Sequence, residues 1–380
     1  MAQRTKTDFR EQTQSDHHQG LFRRILLTIR SPWPNRLLQA AFALVIWLLY
    51  ASLGPGADYF VTFTYLVQSP EKLQPIVGAP WTAHPGWFAA LMAPFVALPS
   101  RLGYILFLAA TIAMLLIASR IFKGNWFLLL FSAQASWVFW WGQVEGWVAL
   151  GLALGWIAHQ KKNWPLLAIG IALASVKPHL GAIPALALWW WSGEDRWKTA
   201  LALLGLFAAS LLIWGPWPMW MVQTIQQTFL SKSETFQPWN ISLGRHAMPL
   251  LIPAILLPLP RQKRLLVLTA TSMLIMPYMP YYSSLILLCM PLPSILYPLA
   301  FLGYFPTILG TQVAWKGLIA LPLGILAWTY TALAIKKVSS MPKIQEMLSQ
   351  VKLPMPLLTR RILQAFGIED KGLEPGNDSR

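Results

Sequence analysis

A carboxylate follows the first apolar stretch of the chain directly, where it could act as a general base. The segment LVIWLLYASLGPGADYF (44–60) places Asp58 after a Gly-Pro-Gly turn. Between residues 31 and 340 the chain has only six acidic residues. A carboxylate beside an apolar span costs free energy, and such residues usually have a functional role. Asp58 is therefore the first candidate to take a proton from a hydroxyl group, and the structural alternative is that it caps a short helix at 58–68.

Two further groups of polar residues open or interrupt apolar stretches. Gln143 and Glu145 stand at the start of WWGQVEGWVALGLALGW, which indicates ligand binding or hydrogen bonds between helices. For Glu145 the alternative is compensation of a helix N-terminus. Lys177 and His179 flank a proline in ALASVKPHLGAIPAL. A cation at such a break favours recognition of a phosphate, and the alternative is a lysine whose ammonium reaches the membrane surface.

The remaining candidates come from two later segments, QPWNISLGRHAMP (237–249) and MPYMPYYSS (276–284). Arg245 and His246 precede a late apolar run and could bind a lipid phosphate or anchor the chain at the interface. Tyr281 belongs to an aromatic rim that could stack on a sugar or a lipid. The alternative for this rim is the aromatic belt of a membrane protein.

The composition is that of a polytopic α-helical membrane protein. Of 380 residues, 56% are hydrophobic and 12% are charged, whereas a soluble domain carries about 25% charged residues. Apolar runs approach the ~20 residues that cross a bilayer. Closed β-barrels would instead show alternation over ~10 residues. The predicted fold class is therefore all-α, with about 10–12 transmembrane helices and a long first extracytoplasmic loop that contains interfacial helices.

Hydropathy divides the chain into two tails and a membrane domain. We expect residues 1–36 to form a cytoplasmic tail with a basic amphipathic helix at 21–31, residues 37–335 to form the transmembrane domain, and residues 336–380 to form a basic, partly disordered cytoplasmic tail. Residues 86–99 predict a helix that lies at the interface. The predicted spans are 37–54, 102–119, 125–141, 143–158, 164–176, 179–192, 198–214, 247–259, 265–277, 281–297, 299–310 and 316–335.

The basic residues predict the orientation of the chain. The net charge of +16 arises mainly in tails and short loops, where it favours contact with membrane lipids over contact with nucleic acid. Arginines before the first span make the N-terminus cytoplasmic. Threading the spans from there predicts a multi-pass plasma-membrane protein with both termini cytoplasmic. It places most of the unusual polar residues near span ends on the extracytoplasmic side: Asp58, His84, Gln143, Glu145, Lys177, His179 and the loop 215–246.

The order and spacing of these motifs resemble glycosyltransferase family 87, the polyprenol-phosphate-mannose-dependent mannosyltransferases of the GT-C superfamily. The resemblance covers roughly residues 37–335. It rests on these residues in order: Asp58, the proline segment HPGWF that begins at His84, Gly142-Gln143, Lys177-Pro178 and the stretch Asn240 to Leu243. His84 and Glu145 depart from the family, which usually has an aromatic residue and Asn at these positions.

The resemblance implies inverting transfer of a hexose, expected to be mannose, from a polyprenyl-phosphate donor to a hydroxyl of a glycolipid or glycan at the extracytoplasmic face. Asp58 would be the catalytic base. The residues implied for the donor phosphate are Lys177, His179, Arg245 and His246. The residues implied for the sugar or the acceptor are His84, Gln143, Glu145, Asn240 and Tyr281. No cofactor is expected, and a divalent metal would require the fold to bring Asp58 and Glu145 together.

Two other classes of protein remain as alternatives. A lipid or solute transporter or flippase predicts ionisable residues in the middle of spans, whereas the charges of this chain stand at predicted span ends. A non-catalytic membrane protein predicts that Asp58 can be replaced without effect. The sequence contains no metal-ligand spacing, phosphate-binding loop, nucleophile elbow or dinucleotide-binding fingerprint.

Overall fold

The computed structural model describes residues 32–68, 84–226, 240–305 and 316–339. The amphipathic helix predicted at 21–31 and the C-terminal tail beyond residue 339 lie outside the described residues. Within the described ranges every regular element is a helix, and one isolated antiparallel bridge joins Asn240 to Pro280. The predicted all-α class is confirmed for this part of the chain.

The chain separates into two units, residues 1–52 and 53–380. Helix α1 (Pro32–Leu53) begins in the first unit and ends at the first residue of the second. The other helices, in chain order, are a π-helix (Asp58–Phe63), α2 (Thr64–Gln68), α3 (Trp87–Val96), α4 (Ser100–Phe122), α5 (Trp126–Phe131), α6 (Ala133–Trp141), α7 (Glu145–Lys161), α8 (Trp164–Ala174), α9 (Pro178–Trp191), α10 (Asp195–Trp214), α11 (Trp217–Thr224), a 3₁₀ helix (Gly244–Leu250), α12 (Leu251–Leu256), α13 (Arg261–Ile275), a 3₁₀ helix (Tyr281–Ser284), α14 (Leu285–Leu288), a 3₁₀ helix (Ser294–Tyr304) and α15 (Ala320–Ser339).

Three helices of the described residues are long and apolar enough to cross a membrane. They are α1, counted from Asn35, with a mean hydropathy of 1.7, α4 with 2.3 and α10 with 1.6. These lengths and compositions agree with an integral membrane protein. Helix α7 has 17 residues and α9 has 14, fewer than the ~20 that span a bilayer without help from neighbouring segments.

Three predicted spans are not single helices. Span 125–141 is divided into α5 and α6 at Ser132, whose backbone is extended and whose Oγ accepts a hydrogen bond from the backbone N–H of Ala135. Spans 247–259 and 281–297 are divided into short 3₁₀ and α segments. Proline explains the divisions of the last two spans because it removes a backbone donor and clashes with the preceding turn. The prolines in question are Pro249, Pro253, Pro291 and Pro293.

Four helices of the second unit connect two polar regions. At one end lie the starts of α7 and α9 and the ends of α8 and α13, close to Glu145, Lys177 and the turn after α13. At the other end lie the end of α7, the start of α8, the end of α9 and the start of α13, which together line a cavity. Helix α7 is about 25 Å long at 1.5 Å per residue, so this distance separates the two regions.

Close contact between α7 and α8 depends on glycine. A Cβ atom on Gly151 would lie 2.3 Å from the backbone N of Ala174 and 2.6 Å from the carbonyl oxygen of Gly170. Only a residue without a side chain fits at this contact, as is usual where helices approach closely in membranes. The contact fixes the end of α8, and therefore also the segment that leads to Lys177.

An aromatic core supports the first polar region. The hydroxyl of Tyr59 donates to the carbonyl of Phe95 at 3.0 Å, and the hydroxyl of Tyr104 donates to the carbonyl of Phe139 at 3.1 Å. These bonds attach the π-helix to the end of α3 and attach α4 to α6. The buried core also includes Phe63, Leu66, Phe88, Met92, Phe107, Val144 and Val176. Helix α3 forms inside the segment 86–99, as the sequence predicted.

Candidate active site

A buried ion pair joins the start of α7 to the residue before α9. The ammonium of Lys177 pairs with Oε1 of Glu145, and the two side chains are 5% and 0% exposed. Lys177 is not helical because Pro178 begins α9 directly after it. Since its side chain is buried, the alternative that Lys177 reaches the membrane surface is wrong. A buried charge requires a partner, and Glu145 supplies it.

Three further groups surround the Lys177 ammonium. It donates to Oε1 of Gln143 at 3.4 Å and to Oγ of Ser283 at 3.3 Å. Ser283 in turn donates to Oε1 of Glu145 at 2.7 Å. The ring of Tyr282 lies 4.9 Å from the ammonium, in cation–π geometry. We refer to Gln143, Glu145, Lys177, Tyr282 and Ser283 as the Lys177 cluster.

The end of α6 brings the segment around residue 56 against Gln143. Gly142 ends α6 with a φ of 72°, a conformation that glycine adopts without strain. A Cβ atom on Gly142 would lie 3.5 Å from the Cα of Gly56. The backbone N–H of Gly56 donates to the carbonyl of Trp140 at 3.1 Å. These contacts position the turn that precedes Asp58 beside the Lys177 cluster.

Asp58 is half-buried and is the first residue of the π-helix. The N-cap of that helix is Ala57, with no side-chain hydrogen bond, so the alternative that Asp58 caps a helix is not seen. Burial raises the pKa of Asp58 to about 6; the Lys177 ammonium lowers it, and the Glu145 carboxylate raises it. Asp58 therefore interacts electrostatically with both members of the ion pair. Its pKa lies where a general base is effective near neutral pH.

His84 supports the backbone just before Lys177. Its Nδ1 lies 2.8 Å from the carbonyl of Val176, and its ring lies 4.6 Å from that of Phe88. Burial lowers the pKa of His84 to about 4, so the ring is neutral at neutral pH. Because a carbonyl only accepts, we assign the proton to Nδ1, and Nε2 is then an acceptor.

Two buried polar atoms near Lys177 have no hydrogen-bond partner among the described residues. They are Oε2 of Glu145 and Nε2 of His179. His179 is the second residue of α9 and interacts electrostatically with Lys177 and His84. Most buried polar atoms in proteins are hydrogen-bonded. These two therefore indicate where a polar ligand would bind.

Asn240 fixes the turn that carries Tyr282 and Ser283. Its Oδ1 accepts from the backbone N–H groups of Met279 and Ser242, both at 2.9 Å, and its Nδ2 donates to the carbonyl of Pro277 at 3.3 Å. The structure thus places Asn240 behind the Lys177 cluster, as a support for one of its sides.

We expect Asn240→Ala to lower both stability and any activity of this site. The change removes acceptors for two backbone donors, at a cost of about 1–3 kcal/mol. Asn240→Asp keeps the acceptor oxygen and loses only the donor to Pro277, so it should lose less stability than Asn240→Ala. The midpoint of thermal unfolding of the purified protein measures the difference. Equal midpoints for both variants and the wild type would contradict the supporting role.

The other predicted residues lie around this arrangement. Tyr281 is fully buried and makes edge contacts with Trp137 at 5.8 Å and with Tyr282 at 5.4 Å. Arg245 and His246 are exposed in the 3₁₀ helix Gly244–Leu250. Among the described residues neither of them makes a hydrogen bond or an ion pair with the Lys177 cluster. A role for these two in phosphate binding stays a prediction.

Sequence reasoning did not select Ser283, and from the aromatic rim of Tyr278, Tyr281 and Tyr282 it chose Tyr281 rather than Tyr282 as a site residue. Tyr282 and Ser283 both belong to the turn MPYMPYYSS. The available signal was a pair of hydroxyl residues between apolar stretches, but adjacent residues of a turn point in different directions. Choosing among them requires knowledge of which one faces Lys177.

Within the described ranges no group of three or more His, Cys, Asp or Glu residues could hold a metal ion. Asp58 and Glu145 interact electrostatically, and the Lys177 ammonium pairs with Glu145. Comparisons of the chain with protein-family models, with curated proteins and with solved structures found no match.

Proposed function

We propose that this protein is a membrane glycosyltransferase that transfers a hexose from a polyprenyl-phosphate donor to an acceptor hydroxyl. The observation that carries the proposal is a half-exposed carboxylate of raised pKa, Asp58, beside a buried cation, Lys177. A base and a cation together are what this reaction requires, because the acceptor loses a proton while the leaving phosphate gains charge.

The chemistry is a single displacement. Asp58 takes the proton of the acceptor hydroxyl while that oxygen forms a bond to the anomeric carbon of the sugar. The bond from this carbon to the phosphate oxygen breaks, and polyprenyl phosphate leaves with an additional negative charge. Lys177 and His179 stabilise that charge. Attack opposite the leaving group inverts the configuration, so a β-linked donor gives an α-linked product, and no nucleotide is needed because the donor carries its own lipid anchor.

The distribution of charge supports an extracytoplasmic site. Glu145 begins α7, whereas His159 and Lys161 lie in its last turn. Lys177 precedes α9, and Arg261 begins α13 at the opposite end from the turn that carries Ser283. On these helices the Lys177 cluster therefore lies at the opposite end from the exposed residues Lys161 and Arg261. Basic residues concentrate on the cytoplasmic side of membrane proteins.

A transporter or flippase is supported less well. Buried ionisable residues occur in transporters, and Glu145 and Lys177 are buried. Both, however, stand at helix ends next to a half-exposed carboxylate rather than in the middle of helices. Purified protein in phosphatidylcholine liposomes distinguishes the two classes: a flippase would move labelled polyprenyl phosphate between leaflets without forming a sugar product.

The test of the proposal is sugar transfer by the purified full-length chain. Wild-type protein in liposomes receives radiolabelled polyprenyl-phosphate mannose and a membrane glycolipid extract, and the products are separated by chromatography. We expect labelled mannose in the glycolipid fraction. Failure of transfer from polyprenyl-phosphate mannose, glucose and galactose alike, with folded protein, would overturn the proposal.

We expect the rate of transfer to rise with pH up to about 6 and then to level off. The base acts when deprotonated, and burial raises the pKa of Asp58 from 3.8 to about 6. Below that pH the rate should fall about tenfold per unit, as expected for loss of one essential proton acceptor. The measurement is kcat/KM for the donor between pH 4.5 and 8. A rate that stays constant down to pH 4.5 would contradict this assignment.

A further inference from the structure

A second polar region lies at the other end of the same helices, about 25 Å from the Lys177 cluster along α7. It is a cavity of about 770 Å³, within the usual size range of small-ligand sites. Three tryptophans, Trp156, Trp164 and Trp191, form walls of the cavity. The proposed glycosyl transfer makes no use of it.

The lining of the cavity contains a cation that a hydrogen bond holds in place. The guanidinium of Arg261 lies 2.8 Å from Nε2 of His159. Arginine only donates, so Nε2 accepts and the proton of His159 is on Nδ1. That Nδ1 is buried and has no hydrogen-bond partner among the described residues. His159 thus holds the guanidinium in place, and the two cations that line the cavity, Arg261 and Lys162, can bind a phosphate.

The lining of the cavity also contains two carboxylates. Glu194 and Asp195 line it at the start of α10, close in sequence to Trp191. Asp195 is 3.4 Å from Lys198, in an exposed pair. A carboxylate beside an aromatic wall is suited to an ammonium group, through ionic and cation–π attraction. With two basic residues and two carboxylates in its lining, the cavity favours a ligand that carries both signs of charge.

The surroundings of the cavity suit the level of lipid headgroups. The guanidinium of Arg196 lies 5.1 Å from the ring of Trp190 and 5.5 Å from that of Trp197. These tryptophans are 62% and 64% exposed. Exposed tryptophan that accompanies arginine is typical of the interface between membrane and water. A ligand in the cavity would therefore lie among phospholipid headgroups.

We propose that this cavity binds a phosphoethanolamine group, with the phosphate at Arg261 and Lys162 and the ammonium at Glu194 and Asp195. The group could belong to a membrane phospholipid or to a soluble headgroup. The site does not depend on sugar transfer and would bind its ligand whatever reaction the Lys177 cluster performs.

The test is lipid binding to the purified full-length protein in detergent, measured by native mass spectrometry. Phosphatidylethanolamine and phosphatidylglycerol carry the same phosphate, but only the first carries an ammonium. We expect phosphatidylethanolamine to bind at least about tenfold more tightly, which corresponds to one charge-assisted contact of about 1.4 kcal/mol. Equal affinity for the two lipids would overturn the proposal.

Two variants distinguish the contribution of the basic residues of the cavity from that of its carboxylates. Arg261→Gln should weaken both lipids about tenfold, whereas Glu194→Gln should weaken only phosphatidylethanolamine. Arg120→Gln is the matched control. Arg120 lies in the last turn of α4, and this end of α4 contacts α13 through a hydrogen bond from Gln262 to the carbonyl of Phe122. It does not line the cavity, so its replacement should leave both affinities unchanged.

Other results of the lipid-binding measurements also decide for or against the proposal. If Glu194→Gln weakens both lipids equally, or if neither variant affects binding, the proposal is wrong. Glycerophosphoethanolamine identifies the source of the group. Weak binding of this soluble headgroup supports a membrane lipid, and binding as tight as that of the lipid supports the same chemistry in a soluble ligand. The midpoint of thermal unfolding of each variant shows that lost binding does not reflect lost folding.

Discussion

Asp58→Asn should reduce sugar transfer about 10²- to 10⁴-fold while the protein remains folded in the membrane. This range is the usual contribution of a positioned general base. The asparagine has nearly the same size and keeps an oxygen acceptor, but it cannot take the proton of the acceptor hydroxyl. Because burial raises the pKa of Asp58, the neutral amide should cost little stability. The measurement is kcat for transfer from polyprenyl-phosphate mannose, beside the midpoint of thermal unfolding.

The matched control is Asp195→Asn, which makes the same change at the start of α10, where Asp195 forms an exposed pair with Lys198. We expect transfer by this variant to stay within about twofold of the wild type, because Asp195 lines the cavity at the far end of α7, about 25 Å from the Lys177 cluster. Undiminished transfer by Asp58→Asn would rule out Asp58 as the base and direct attention to Glu145. A loss with both variants would show that the effect is not specific to Asp58.

Lys177→Met should have the second-largest effect and should lower both stability and transfer. The variant leaves the Glu145 carboxylate, which is 0% exposed, without its cation. Breaking a buried ion pair in this way costs about 3–5 kcal/mol. Loss of the ammonium also removes the charge that lowers the pKa of Asp58. Residual transfer should therefore show its acidic limb at a higher pH than in the wild type.

The double variant Glu145→Gln/Lys177→Met separates the two effects. It removes both charges, so stability should return to near that of the wild type. Transfer should stay low, because no cation remains to stabilise the leaving phosphate. The control is Lys198→Met, which breaks an exposed pair with Asp195 and should change stability by less than about 1 kcal/mol. Full transfer by the double variant would exclude Lys177 from phosphate binding.

Several features of the fold could be predicted from sequence because they depend on local order. Long apolar runs without charges predicted helices α4 and α10 in nearly the observed places. Pro178 predicted the break that leaves Lys177 outside a helix. The divisions at Ser132 and in the proline-rich segment 281–297 were missed, because hydropathy measures apolar content rather than helix continuity.

The candidate site was predicted only in part. Scarcity of charge identified Asp58, Glu145 and Lys177, since an ionisable residue near a membrane span requires a reason. The sequence did not show whether these side chains are buried or which residues they pair with. Glu145 was open to interpretation as a helix-terminal charge and Lys177 as a surface lysine, until their burial as a pair excluded the second of these. Hydropathy likewise gave no sign of the cavity near Arg261.

The sequence by itself determined an all-helical chain rich in membrane-length apolar stretches, and it determined which few polar residues could perform chemistry. Only the tertiary structure decided which of them meet. Lys177 pairs with a carboxylate 32 positions away and contacts a serine 106 positions away. It also decided that Tyr282 rather than Tyr281 faces the ammonium. The physical reason is that such contacts depend on the packing and rotation of helices distant in the chain, whereas composition and periodicity report only on each segment by itself.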